Sequence, residues 1–258
     1  MKVDMRTEVA KYYDYSPNTP DDVSFYIAKI SSPDSNILEL GCGTGRVTLS
    51  LVQYCKYIHG IDLSEAMLSL CKRKLRDANI PQFKATVEVG DITNFKLEQT
   101  FDFIIAPFRV LQNIESDSEV DGLFRCINEH LTPDGTCILN VFNPNRDRET
   151  LRREWCSNEE RLAWEVPIED GKIVCYDRRP QMNKEKLILY PELIYRKYQG
   201  NILKDEVVLK LAMRCYYPDD FQNLITSHGF DIINLWGGYN REPYGEGPEL
   251  VIQFKKSR

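Results

Sequence analysis

A glycine-rich loop joins an apolar strand to a helix in the first fifth of the chain. The stretch ILELGCGTGRVTLS covers residues 37–50 and carries glycines at positions 41, 43 and 45. Glycine lets a ligand approach the backbone closely and allows positive φ angles that other residues avoid. A strand, a glycine loop and a helix in this order are typical of parallel α/β sheets that bind nucleotide-like ligands.

The spacing of these glycines narrows the choice of ligand. A dinucleotide-binding loop follows the pattern GxGxxG, whereas this loop follows GxGxG and has Arg46 where the last glycine would stand. No GK[ST] sequence follows, so the loop also differs from a Walker-type phosphate loop.

Strands and helices alternate over the first 144 residues, and this pattern predicts a parallel sheet with right-handed crossovers. Ligands of such sheets bind beyond the carboxyl ends of the strands, where Gly41, Asp62, Asp91 and Pro107 are expected. The predicted strands cover residues 37–40, 57–61, 85–89, 101–106 and 137–142, and the predicted helices cover 21–30, 46–54, 64–75 and 119–131, with a turn at 133–135.

After Asn145 the pattern changes to period two, which is typical of antiparallel strands. Residues 161–214 contain runs such as KLILYPELIYRKY and the turn pairs Asp170-Gly171 and Gly200-Asn201. We expect residues 145–216 to form an inserted antiparallel β cap that covers the substrate. Residues 1–144 and 217–258 form the main domain, with a further helix over 218–227 and strands over 230–236 and 250–254.

Charge and composition exclude several classes of protein. The net charge of -6 provides no general attraction for nucleic acid or anionic membranes. The N-terminus lacks the apolar core of a signal peptide and no stretch approaches a membrane span, so a cytoplasmic location is expected. The eight cysteines contain no CxxC pair, and neither a metal site nor a disulfide framework is expected.

The stretches ELGCGTG, GIDLSEAML, VGDITNF, FDFIIAPFRVLQNI and LTPDGTCILNVFNP together resemble the class I S-adenosylmethionine-dependent methyltransferases. The resemblance implies a Rossmann-like α/β fold whose seven-stranded sheet runs in the order 3-2-1-4-5-7-6, with the last strand antiparallel. It also implies S-adenosylmethionine as cofactor and S-adenosylhomocysteine as product.

The same resemblance implies a cofactor site. In this family the acidic residue and the glycine loop approach the methionine and ribose, the acid after strand two holds the ribose, and the acid after strand three lies near the adenine. The implied cofactor-binding residues are Tyr13, Glu39, Gly41, Cys42, Gly43, Gly45, Asp62, Leu63, Met67, Asp91, Ile92 and Pro107. The residues alone leave other interpretations open, since Asp62 can cap a helix, Met67 can pack in the core and Asp91 can begin a turn.

The acceptor side is less specific. Phe108, Arg109 and Asn113 follow the fourth strand and Asn143 follows the fifth, so these four are the substrate-side candidates. Arg109 fits either a substrate anion or a structural salt bridge. Further candidates lie in or near the cap: Arg178, Arg179, Arg214, Tyr216 and Tyr244.

None of the three histidines is predicted at the carboxyl ends of the strands, and no catalytic residue is assigned. An amine reacts once it is unprotonated, whereas a hydroxyl commonly needs a base. We therefore expect direct in-line methylation of a small soluble molecule at nitrogen, by a monomer or homodimer. The alternatives are a cofactor-binding module without turnover, or an O-, RNA or protein methyltransferase.

Overall fold

The computed structural model describes residues 6–257. The chain divides into two compact units. Of the described residues, the smaller unit contains 6–20 and 146–215, and the larger unit contains 21–145 and 216–257. Within residues 6–257, no helix combines the length and apolarity that crossing a membrane requires.

The helices are α1 (Ala10–Tyr13), α2 (Val23–Ile27), α3 (Arg46–Leu51), α4 (Glu65–Asp77), α5 (Asp117–His130), α6 (Arg148–Glu154) and α7 (Pro218–Ser227). The strands are β1 (Asn36–Leu40), β2 (Tyr57–Asp62), β3 (Ala85–Val89), β4 (Phe101–Ala106), β5 (Leu131–Phe142), β6 (Ser157–Ile168), β7 (Gly171–Asn183), β8 (Ile188–Gln199), β9 (Ile202–Lys210), β10 (Met213–Arg214), β11 (Phe230–Trp236) and β12 (Glu249–Lys256). A short 3₁₀ turn covers Val110–Asn113.

The larger unit is built on a seven-stranded sheet in the order β3-β2-β1-β4-β5-β12-β11. Counted within this sheet, the order is 3-2-1-4-5-7-6, and β12 is antiparallel to both of its neighbours. The predicted Rossmann-like fold is therefore confirmed. The carboxyl ends of β1 to β5 share one edge, and Glu249 at the start of β12 pairs with Phe142 at the same place. We call this the carboxyl edge.

Both faces of the central part of the sheet are buried, which explains the nearly continuous apolar runs of strands such as β1, β4 and β12. Successive residues of β1 point to opposite faces. Leu38 joins a core with Phe124 of α5 and Phe221 of α7, whereas Ile37 joins a core with Leu51 of α3.

Several element boundaries differ from the prediction. Helix α5 begins at Asp117 because the Ser116 hydroxyl caps it, accepting a hydrogen bond from the Glu119 backbone N–H at 3.3 Å. Strand β5 includes residues 133–135, where the sequence predicts a turn. Leu131 pairs with Phe101 and Thr136 pairs with Phe103, so the extra residues form a bulge within the strand. Helices α2 and α3 end three residues before their predicted limits.

The smaller unit contains a five-stranded sheet in which β6, β7, β8 and β9 form successive antiparallel pairs and β10 also pairs with β8. The turn pairs Asp170-Gly171 and Gly200-Asn201 connect β6 to β7 and β8 to β9, as predicted. One face packs a core that includes Trp164, Ile173 and Tyr195.

The N-terminal segment belongs to this smaller unit, although the expected division placed residues 1–144 in the main domain. Val9 and Tyr12 are buried in the same core, where the Tyr12 ring stacks on Tyr195 with centroids 6.1 Å apart. The Tyr12 hydroxyl also donates a hydrogen bond to Asp205 of β9. A short apolar helix can fill either of two cores, and the sequence pattern does not show which core accepts it.

Candidate active site

All three glycines of the loop have positive φ angles, at +74° for Gly41, +54° for Gly43 and +85° for Gly45. They differ in what a side chain would meet. A Cβ on Gly41 would lie 2.6 Å from Val110, and a Cβ on Gly45 would lie 2.4 Å from the Cys71 sulfur. A Cβ on Gly43 would meet only the Asp62 carboxylate, at 4.0 Å. Gly41 and Gly45 thus leave room for the protein's own side chains, Val110 and Cys71. Gly43 instead faces the space beside Asp62.

Asp62 ends β2, and its carboxylate is buried at the carboxyl edge. One oxygen accepts the Gly43 N–H and the other accepts the Ser64 N–H, both at 2.8 Å. Ser64, rather than Asp62, caps α4 by accepting the Met67 N–H at 3.3 Å. A carboxylate has about four acceptor positions, so the two used here leave room for a ligand with two hydroxyl donors.

Glu39 lies on β1 directly before the loop, and its side chain is buried with 2% exposure. Burial raises the pKa of its carboxyl to about 8, although the hydroxyl of Thr48 donates to it. Arg46 binds both oxygens of the buried Asp22 carboxylate. Asp22 is thus neutralised by Arg46 and Glu39 keeps its proton below about pH 8, so the Asp62 carboxylate supplies the negative charge beside the loop, which favours a cationic ligand.

The residues implied for the adenine end lie where the sequence predicts, after β2 and β3. Met67 is fully buried in α4, and Leu63 and Ile92 are partly exposed. Asp91 accepts the Thr93 N–H at 2.9 Å and the Thr93 hydroxyl at 2.7 Å, so it also begins a turn.

Pro107 and Cys42, two further residues implied for the cofactor site, are also buried. Pro107 directly follows β4. The Cys42 thiol packs towards Gly60, where a Cβ would come within 2.8 Å of its sulfur, and burial raises its pKa. A role of Cys42 towards the cofactor therefore falls to its backbone.

The segment after β4 carries the acceptor-side candidates. Phe108 is 44% exposed. The guanidinium of Arg109 binds the Glu249 carboxylate, with Nε 2.9 Å from Oε1. Of its two predicted roles, Arg109 therefore has the structural salt bridge. Asn113 is exposed and donates to the Arg109 carbonyl at 3.2 Å. Asn143 donates to two backbone carbonyls of residues 245–247, each at 2.8 Å, and holds that loop at the carboxyl edge.

The three histidines lie away from the carboxyl edge, as predicted. His59 is in the middle of β2. His130 ends α5 at the opposite edge, where its two ring nitrogens bond the Cys126 carbonyl and the Leu97 N–H. His228 precedes β11 at that opposite edge and pairs with Asp121.

Sequence reasoning missed two functional candidates, Asn140 and Glu249. Asn140 stands inside the apolar run CILNVF, and Glu249 immediately precedes the apolar run LVIQF. A polar residue inside or at the end of a buried strand requires a partner, and that rule was the available signal. Their partner is Arg109, since the Asn140 side chain accepts the Arg109 N–H and donates to Glu249.

The remaining candidates are divided between the two units. Arg178 and Arg179 form ion pairs with Glu192 and Asp177 within the smaller unit. Arg214 lies in β10 of that unit, while Tyr216 and Tyr244 belong to the larger unit. Tyr13 lies in α1 of the smaller unit, and its role towards the cofactor stays a prediction.

The family profile of a methyltransferase domain matches residues 37–135, which contain the glycine loop, Asp62, Asp91 and Arg109. The structure is similar to that of an S-adenosylmethionine-dependent methyltransferase of Clostridium acetobutylicum over 99% of this chain and 100% of that chain, with a TM-score of 0.78 and 18% identity. Residues 37–135 are therefore a methyltransferase domain, the fold is that of the class I S-adenosylmethionine-dependent methyltransferases, and the chain is an enzyme that uses S-adenosylmethionine.

Three relatives match this chain by sequence. The putative methyltransferase YqeM of Bacillus subtilis is 21% identical over 86% of this chain and 84% of its own. A dTDP-3-amino-3,4,6-trideoxy-alpha-D-glucopyranose N,N-dimethyltransferase of Streptomyces venezuelae is 25% identical over 59% of this chain and 58% of its own. A malonyl-[acyl-carrier protein] O-methyltransferase of Bacillus cereus is 31% identical over 48% of this chain and 44% of its own.

Proposed function

We propose that this methyltransferase acts on an amine nitrogen of a small soluble molecule. The observation that carries the proposal is the chemistry of the carboxyl edge. The three histidines lie away from it, and the Glu249 carboxylate is already bound by Arg109 and Asn140. A neutral amine has its own lone pair and needs no base, whereas a hydroxyl acceptor commonly does.

Two further observations support the acceptor class. The N,N-dimethyltransferase of Streptomyces venezuelae acts on an amino sugar according to its name, and the match covers more than half of both chains. The net charge of -6 is unfavourable for an RNA substrate. The B. cereus relative makes oxygen the second candidate acceptor, and the experiment below separates the two.

S-adenosylmethionine, when bound, supplies a methyl group on a positively charged sulfur. We assign the ribose hydroxyls to the Asp62 carboxylate and the cationic end to the side of the loop where Glu39 lies. The segment 107–113 then borders the acceptor. The protein acts by holding acceptor and cofactor in a reactive geometry. Such positioning provides much of the lowering of the activation barrier in two-substrate reactions.

The test uses a matched pair of nucleotide-linked sugars that differ in one group, an amine in one and a hydroxyl at the same position in the other. Purified protein is incubated with S-adenosylmethionine and each sugar, and release of S-adenosylhomocysteine is measured along with the mass of the sugar. We expect methylation of the amino sugar alone, at a rate that rises with pH as the amine loses its proton.

The control is Asp62→Ala. A hydrogen bond to a charged group is worth about 1.5 to 3 kcal/mol, so this variant should bind the cofactor roughly ten-fold more weakly or worse. Methylation of the hydroxyl sugar, or of RNA or protein in preference to small amines, would overturn the proposal. Unchanged cofactor affinity in Asp62→Ala would overturn the assignment of the ribose.

A further inference from the structure

Two consecutive residues after β4 have left-handed backbone angles. Phe108 has a φ of +59° and Arg109 a φ of +65°, and neither is a glycine. Such angles cost free energy in residues with a side chain, and they persist only where the surrounding structure holds them. They cluster at binding and catalytic sites, and these two lie at the carboxyl edge.

A closed ring of hydrogen bonds holds this segment to two other strands. The Arg109 N–H donates to the Asn140 side-chain oxygen at 3.2 Å. The Asn140 amide donates to one Glu249 oxygen at 2.9 Å, and Arg109 Nε donates to the other at 2.9 Å. Asn140 lies in β5 with 1% exposure and Glu249 in β12 with 7%. The ring therefore joins the end of β4 to β5 and β12.

Two further contacts fix the residues that follow. The Gln112 side chain is fully buried, and its oxygen accepts the Phe142 N–H at 2.8 Å. The Gln112 N–H donates to the Arg109 carbonyl at 3.0 Å. The 3₁₀ turn is thus tied to the end of β5, and the segment cannot relax at Arg109 without breaking these bonds.

The consequence of this arrangement is the position of Phe108. Its neighbours on both sides are held, since Pro107 is buried and Arg109 is bound in the ring. Phe108 itself makes a left-handed turn that leaves its side chain 44% exposed at the carboxyl edge. A large apolar ring kept in solvent at such a place is suited to contact a ligand.

We propose that Asn140 and Glu249 are positioning residues that hold Phe108 as the specificity-determining contact for the acceptor. The ring presents a flat apolar face, so the acceptor carries an apolar or planar surface next to its reactive nitrogen. Arg109 serves as the link between the two positioning residues and not as an anchor for a substrate anion, because its charge is already paired. This inference rests on the proposed function for the nature of the acceptor, but not for the rigidity of the segment.

The first test needs no acceptor. Amide hydrogen exchange is measured for residues 108–113 in the wild type, in Glu249→Gln and in Asn140→Leu. Both variants should exchange faster in this segment, with the Arg109 amide most affected in Asn140→Leu because its acceptor is gone. Asp121→Asn is the matched control, because it breaks an ion pair with His228 at the opposite edge of the same sheet.

The second test uses an amine acceptor identified by the sugar pair. Glu249→Gln, Asn140→Leu and Phe108→Ala should lower kcat/KM for the acceptor about ten- to one-hundred-fold, the range that a misplaced contact produces. Their Kd for S-adenosylhomocysteine should stay at the wild-type value. The conservative variant Phe108→Tyr should keep most of the activity that Phe108→Ala loses. A merely structural role would lower the melting temperature without lowering acceptor kcat/KM selectively relative to cofactor affinity.

The inference is overturned if segment 108–113 exchanges at the wild-type rate in both variants, or if cofactor affinity falls together with acceptor kinetics. If Asn140→Leu does not fold, Glu249→Gln carries the same test. If no amine is methylated by the wild type, the proposed function fails, while hydrogen exchange still decides whether Asn140 and Glu249 hold the segment.

Discussion

Gly43 and Gly45 both have positive φ angles, but their surroundings differ. Around Gly45 the space for a Cβ is taken by Cys71 and Leu49, whereas Gly43 has only the Asp62 carboxylate within 4.0 Å. The requirement for glycine at position 45 therefore comes from the protein's own packing. At position 43 it comes from the backbone angle and, by our assignment, from the ligand.

This difference predicts distinct effects of adding one methyl group. Gly43→Ala should fold with a loss of about 1 to 2 kcal/mol from its left-handed angle, and should bind S-adenosylhomocysteine more weakly. Gly45→Ala should lose more stability, because its Cβ would lie 2.4 Å from the Cys71 sulfur. Urea unfolding and calorimetry measure the two effects, and wild-type affinity in Gly43→Ala would contradict the assignment.

Glu39 predicts a specific dependence on pH. Burial raises the pKa of its carboxyl from the ordinary 4.5 to about 8. Between these values the unfolded chain has lost the proton that the folded chain keeps, so the contribution of Glu39 to stability falls as pH rises through this window. The ionised form attracts a cation, so the affinity for S-adenosylmethionine should rise over the same window.

The measurement is thermal unfolding without ligand and calorimetric titration with cofactor, each across this pH range. Glu39→Gln is the matched variant because it keeps the size and removes the titration. The stability of this variant should fall less steeply with rising pH than that of the wild type. Its cofactor affinity should not change with pH. An unchanged slope in Glu39→Gln would show that another group is responsible.

At the scale of elements, the strands of the large sheet were predicted closely, and the ends of helices less so. β3 and β4 have the predicted limits, since both are segments of strand length bounded by polar residues, glycine or proline. Helix ends depend on caps instead. Ser116 begins α5 through its bond with Glu119, and this SxxE spacing could have been recognised in the sequence.

Helix α1 carries two neighbouring tyrosines that differ in burial. Tyr12 is buried against Tyr195 in the smaller unit, and Tyr13 is only partly buried. Tyr12→Ala should destabilise the smaller unit by about 3 to 5 kcal/mol, the usual cost of removing a buried aromatic ring. The family resemblance implies that Tyr13 contacts the cofactor, so we predict that Tyr13→Ala weakens cofactor binding.

Chemical unfolding monitored within residues 146–215 and calorimetry with S-adenosylhomocysteine test these two variants. Each variant serves as the control for the other. The prediction for Tyr13 fails if cofactor affinity is unchanged in Tyr13→Ala. The prediction for Tyr12 fails if the smaller unit of Tyr12→Ala unfolds at the wild-type denaturant concentration.

At the scale of the whole molecule, the carboxyl edge collects residues that are far apart in the chain. Glu39, Asp62, Asp91 and Arg109 could be placed there from the sequence, because each follows or ends a strand and parallel strands share their carboxyl edge. Glu249 lies 140 residues beyond Arg109. Its bond to Arg109 depends on the position of β12 beside β5 and on their register, which local sequence patterns do not contain.

The amino-acid sequence alone was sufficient for the glycine loop, the strand order and the methyl donor. These depend on local requirements, such as φ angles that suit glycine and acids at strand ends, and on a motif set that resembles one family. Three features emerged only in the folded chain: the Arg109–Glu249 pair, the open side of Gly43 and the core that takes up Tyr12. Each depends on contacts between residues from different parts of the chain, and such contacts form only when the whole backbone is in place.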